Sequence, residues 1–194
     1  MTELPAVVMT SGGVGAITPS QTVGPFLHLA LADPADALVV RLGTPGAFWL
    51  RGTVTDGDGA PVADAVVETW QAAGDGTFAG PVAGADGFTG FGRCATDGDG
   101  TWAVHTVRPG PVPAADGRPA APHLAVSVFA RGLLDRVVTR AYFPDEQAAN
   151  AADPVLCSLP EPARAVTLVA VPEADGYRFD IRLQGPDETV FFDL

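Results

Sequence analysis

The chain has 194 residues, enough for one domain or a tight pair, and 47% are apolar, a composition suited to a packed core and too rich for disorder. Its 23 acidic residues outnumber 11 basic ones, all of them arginine, for a formal charge of −12. That balance excludes a duplex-binding surface and a polybasic membrane contact, since both need a basic face.

Residues 1–46 read as an irregular arm. Small residues and prolines dominate it (Ser11-Gly12-Gly13, Thr18-Pro19-Ser20, Gly24-Pro25, Thr44-Pro45-Gly46), with one apolar patch from Phe26 to Leu31. Such a segment is expected to be disordered at its start and pinned against the rest of the chain further on. Residues 47–194 form the second unit. Phe48, Leu50, Gly52 and Val54 share one face at period two, and Asp56-Gly57-Asp58-Gly59 ends that run. Further strands are predicted over 62–71, 91–96, 101–107, 124–130 and 137–143. The last, Tyr177 to Gln184, has the cleanest alternation, with Tyr177, Phe179, Ile181 and Leu183 on one face. Only 146–152 and 163–169 have helical composition. Many brief strands with close-spaced turns predict an all-β, antiparallel sandwich with a few short helices.

The Asp-Gly runs fail the calcium-loop pattern. Counting from Asp56, positions 5 and 6 are Ala60 and Pro61; counting from Asp97, they are Thr101 and Trp102. They read as hairpin turns instead. Cys94 and Cys157 have no Cys or His neighbour at zinc spacing, so they read as two buried thiols of a reducing cytosol. The first basic residue is Arg41, so a secretory start is not expected, and no run of 18 apolar residues would span a bilayer. The expected location is the cytoplasm. His105, between Val104 and Thr106, reads as a packing or surface residue. From residue types alone, no catalytic constellation stands out.

The ordered motifs, however, resemble those of the intradiol ring-cleavage dioxygenases. They are Thr18-Pro19-Ser20-Gln21-Thr22-Val23-Gly24-Pro25-Phe26, Glu68-Thr69-Trp70-Gln71-Ala72, Phe91-Gly92-Arg93, Thr106-Val107-Arg108-Pro109-Gly110 and Ala121-Pro122-His123. Phe129-Ala130-Arg131-Gly132, Tyr142-Phe143, the run from Tyr177 to Gly185 and Glu188-Thr189-Val190-Phe191-Phe192-Asp193 complete the set. The resemblance implies an antiparallel β-sandwich. In catalytic members it implies an Fe(III) held by two tyrosines and two histidines, because hard phenolate oxygens suit the ferric state.

Against that pattern, the histidine pair reads His123-Leu124-Ala125, and the tyrosine expected after the Pro-Gly-Pro turn is Val112. The tyrosine expected after the Trp-Gln segment is Phe78, and an arginine expected just before the histidines is Ala120. One imidazole cannot hold ferric iron, so no metal and no catalytic residue is expected on this chain. The resemblance then implies the α chain of a heteromeric member. Its homologous β chain would carry the Fe(III), and αβ units would assemble further. The substrates would be a small aromatic acid, protocatechuate (3,4-dihydroxybenzoate), and O2. Thr22, Gly24 and Pro25 would line the β chain's cleft, and Arg131 would add positive charge at the entrance. A forked guanidinium suits a carboxylate, although Arg131 is equally readable as an interface ion-pair residue. Two other readings compete: a stand-alone sandwich acting as a binding module, and a self-sufficient dioxygenase. The missing tyrosines argue against the second.

Overall fold

Alternating apolar residues become strands, and the Asp-Gly pairs become turns between them, in the computed structural model, which describes residues 19–24, 26–31, 33–79 and 87–193. The first residues of the arm, expected to be disordered, lie outside the described residues, and so does Pro25. Strand β1 (Phe48–Thr55) buries Leu50, Gly52 and Val54 on one face, as the two-residue period requires. Then come β2 (Val66–Trp70), β3 (Phe91–Ala95), β4 (Thr101–Thr106), β5 (Val112–Pro113), β6 (Pro119–Ala120), β7 (His123–Phe129) and β8 (Val137–Tyr142). Three short strands close the chain: β9 (Val171–Glu173), β10 (Gly176–Arg178) and β11 (Ile181–Arg182).

The turns use their acids on the backbone. The Asp56 carboxylate accepts from the amides of Asp58 and Ala60, each at 2.9 Å, and Asp97 does the same for Asp99 and Thr101. Gly59 and Gly100 then take φ of 83° and 74°, where a Cβ would be strained.

One sheet runs β3-β2-β7-β8 and is antiparallel throughout. The other centres on β1, with β4 antiparallel on one side, β10 and β11 on the other, and β9 beyond β10. Leu50, Val54, Trp102 and Val104 of this sheet meet Val67, Leu124, Val126, Val128 and Ala141 of its partner in a single buried cluster. At about 1.5–3 kcal/mol for each large aliphatic side chain buried, this shared face is the main source of cohesion.

The Tyr177–Gln184 segment departs from expectation. It pairs with β1 in parallel and splits into β10 and β11 at Phe179-Asp180. Asp180 Oδ1 accepts from the Thr53 amide (3.1 Å) and the Thr53 hydroxyl (3.2 Å), so a side chain replaces a backbone carbonyl in the ladder. Burial still alternates through Phe179 and Ile181, which is the part the sequence displays.

The helical segments are short. The stretch predicted over 146–152 forms α2 (Gln147–Ala152), after α1 (Leu27–Leu31) of the arm, and is followed at once by α3 (Pro154–Ser158). The stretch predicted over 163–169 is a 3₁₀ helix, Pro162–Leu168. The arm is pinned as expected, since the amides of Val39 (2.9 Å) and Val40 (3.4 Å) donate to the His105 carbonyl. His105 itself is buried, with Nδ1 3.3 Å from the Val40 carbonyl and its ring against Trp49, so it is a packing residue. The cysteines correct one expectation. Both are free, but only Cys94 is partly buried, and burial raises its thiol pKa. Cys157 is exposed because the last turn of α3 carries it to the surface.

Candidate functional site

The β3-β2-β7-β8 sheet has an inner face in the core and an outer face that holds the candidate site. On β7, Leu124, Val126 and Val128 point inward, which leaves His123, Ala125 and Ser127 on the outer face. Asp153 fixes the wall opposite. Fully buried, it accepts from the Ala121 amide (2.8 Å) with one oxygen. The other oxygen takes the amides of Val155 (2.9 Å) and Leu156 (3.0 Å) and the Tyr142 hydroxyl (3.1 Å). One carboxylate therefore caps α3 and binds it to the sheet where β7 begins. Tyr142 Oη accepts in turn from Arg140 Nη1 at 3.3 Å.

Between these walls lies a cleft of about 440 Å³ bounded by Phe78, Val112, Ala120, His123, Arg140 and Val155 among others. Behind it a recess of about 50 Å³ is enclosed by Trp70, Phe78, Gly110, Val112, His123 and Ala125. The four positions where the resemblance placed metal ligands, Phe78, Val112, His123 and Ala125, thus surround one small space. Only His123 offers a donor atom. Its Nδ1 lies 2.7 Å from the Ala121 carbonyl and donates to it, which leaves Nε2 as the acceptor of a neutral ring. Burial, with the Arg140 charge adding to it, holds the imidazole pKa below its ordinary value. Phe78 stacks on Trp70 with centroids 6.1 Å apart and has no oxygen to give.

Neither tyrosine of the chain supplies a phenolate. Burial pushes the Tyr142 hydroxyl well above its ordinary range, and it donates to Asp153. Burial also raises Tyr177, which donates to Asp145 and accepts from Arg108. Among the described residues no three of His, Cys, Asp and Glu converge on a point. The residues at this site do not fit a ferric ion.

The other predicted residues lie on a different edge. Thr22 Oγ1 accepts from the Gly132 amide at 2.8 Å, and Ser20 Oγ donates to Asp135 at 3.1 Å, so the arm crosses the turn between β7 and β8. That brings Thr22 beside Arg131 in the chain. Gly24 is exposed, its carbonyl accepts from the Leu27 amide, and a Cβ there would meet nothing within 4 Å among the described residues. Arg131 is 79% exposed, with Nε 2.9 Å from Asp64 Oδ2. Sequence reasoning missed Arg140 and Asp153. The alternation of β8, with Thr139 and Ala141 buried, placed Arg140 on the outer face; nothing in the hydropathy marked Asp153 as a buried cap.

Two stacked sheets, with a recess on the outer face of one at these four positions, define a dioxygenase sandwich whose metal donors are absent. The sequence profile of the Dioxygenase family matches residues 26–185, and the chain belongs to that family. The protocatechuate 3,4-dioxygenase alpha chain of Pseudomonas putida is 46% identical over 193 residues, covering 91% of this chain and 96% of that one. The alpha chain of Burkholderia cepacia is 45% identical with 91% and 97% covered. The beta chain of the B. cepacia enzyme is 35% identical over 72% of this chain and 65% of its own length. Among solved structures, the dioxygenase domain of a carbohydrate-binding fusion from Streptomyces sp. SirexAA-E superposes with a TM-score of 0.55 at 26% identity, over 77% of this chain and 88% of that one. No helix among the described residues is long and apolar enough to cross a membrane.

Proposed function

We propose that this chain is the α subunit of a cytoplasmic protocatechuate 3,4-dioxygenase, with the Fe(III) carried by a homologous β chain. The assembled enzyme opens the ring of 3,4-dihydroxybenzoate between its two hydroxyl-bearing carbons, with O2, to give 3-carboxy-cis,cis-muconate. The observation that carries this reading is the recess itself: four side chains converge where ligands would stand, and one neutral imidazole is their whole donor set. Similarity along nearly the full length of two alpha chains, together with the weaker match to a beta chain, supports a paired sandwich over a stand-alone binding module.

In this reading the chain acts by shaping a neighbour's cleft. By the resemblance Thr22, Gly24 and Pro25 line that cleft, and Gly24 lets backbone approach a flat ring closely. The bond from Gly132 to Thr22 holds that arm against the turn bearing Arg131. At −12 the chain repels an aromatic carboxylate at long range, so an exposed guanidinium at the cleft mouth offsets the field locally. Assembly into larger sets of αβ units follows the same resemblance. The test is co-expression with the β chain: the pair should consume O2 with protocatechuate and form the carboxymuconate, while each chain alone should not. Turnover by this chain alone, or an inactive pair that is stably assembled and iron-loaded, would overturn the reading.

A further inference from the structure

We propose that the cleft in front of His123 is a metal-free binding site for a hydroxylated aromatic monocarboxylate, with Arg140 holding the carboxylate and the ring seated among Phe78, Val112, Ala120 and Val155. The first observation is an unmatched charge. Arg51, Arg93, Arg108, Arg118, Arg131 and Arg178 each have a carboxylate within 4 Å. Arg41, Arg136, Arg140, Arg164 and Arg182 have none among the described residues; Arg164 and Arg182 donate to backbone carbonyls instead, while the neighbours of Arg140 are the Tyr142 hydroxyl and the Phe192 ring. In a chain with about two acids for every arginine, a half-buried guanidinium facing a cleft without a carboxylate is an anion site waiting for its ligand. Asp116, the other charged group lining the cleft, is taken up by Arg118, whose Nε lies 2.8 Å from Asp116 Oδ2. Asp153, beyond the Tyr142 hydroxyl, is saturated by three amides and that hydroxyl. Arg136, also without a carboxylate within 4 Å among the described residues, shares with Arg140 the rim of an adjoining hollow of about 450 Å³ and strengthens the positive field.

The second observation is shape and polarity. The cleft volume, about 440 Å³, lies within the range of about 300–1,000 Å³ usual for small-molecule pockets, and its walls are largely apolar. Phe78 is 52% exposed and backed by Trp70, which offers a flat face to a ring. With Nδ1 engaged by Ala121, His123 Nε2 has no partner among the described residues and accepts a hydrogen bond from a ring hydroxyl. A phosphate would require several convergent donors, and one guanidinium supplies too few. The site is independent of which chain carries iron.

Equilibrium dialysis of 4-hydroxybenzoate against the full-length chain, with a chelator present and folding checked by circular dichroism, tests the proposal. One saturable site per chain is expected, weakened at least tenfold by Arg140→Gln and abolished by Val112→Trp, which fills the cleft. 4-Hydroxybenzamide, which lacks the charge, should bind wild type at least tenfold more weakly, and this comparison decides the matter if a variant fails to fold. Where the chain is stable only with its partner, the pair should take up two molecules per iron, one of them without altering the visible absorption. The proposal is overturned by no saturable binding, by binding that chelation removes, by equal affinity for acid and amide, or by one molecule per iron.

Discussion

Arg131 separates an electrostatic role from a structural one at the level of a single side chain. Its ion pair with Asp64 is 2.9 Å long; Asp64 is 21% exposed, but the guanidinium is 79% exposed, and solvent screening on that side holds the pair to about 1 kcal/mol. Arg131→Ala should therefore leave the melting temperature nearly unchanged. In the assembled enzyme it should raise KM for protocatechuate more than it lowers kcat, and steady-state kinetics at low salt is the measurement. An unchanged KM would remove Arg131 from the substrate's path and leave it as a partner of Asp64. The residues of the recess were legible in the sequence because each stands at a fixed offset from a recognisable motif: Phe78 after Trp70-Gln71, Val112 after Pro109-Gly110-Pro111, Ala125 two places after His123. Arg140 and Asp153 were not, because their importance lies in which partners they lack or saturate, and partners across the fold leave no local pattern.

At the level of elements, the same distinction explains the last strand. Hydrophobic alternation from Tyr177 to Leu183 correctly gave the faces but not the ladder, since period-two burial is shared by parallel, antiparallel and interrupted strands. What interrupts this one is a close approach to β1. A Cβ on Gly52 would lie 1.8 Å from the Phe179 carbonyl oxygen, a backbone atom that cannot step aside as the end of a flexible side chain could. Gly52→Ala should cost about 3 kcal/mol or more by overpacking, whereas Gly98→Ala, where nothing lies within 4 Å of the added methyl, should stay within about 0.5 kcal/mol. Urea denaturation of the two variants checks the contrast, and equal stabilities would show that β1 and the chain end are not packed as described. The turns were easier to foresee: Asp56 and Asp97 satisfy their own loop amides, so the chemistry is local and visible in the sequence. The third short helix, α3, was missed because its start depends on Asp153 folding back onto both α3 and the Ala121 amide.

For the whole molecule, composition and patterning were enough to specify a sandwich, and the two sheets meet in the core that alternation anticipated. Activity was not legible from residue types, because the decisive fact is a shortage. Four positions gather around one recess, yet the donor side chain among them is a neutral imidazole alone, while burial moves both phenols still further from the phenolate form. In the function proposed above, the chain contributes to ring cleavage through contact with a metal-bearing relative. Iron quantification per polypeptide tests that claim most directly. A preparation of this chain alone should be colourless and iron-free, and each pair formed with the β chain should hold one iron; stoichiometric iron in this chain by itself, or two irons in the pair, would refute the proposed division of labour.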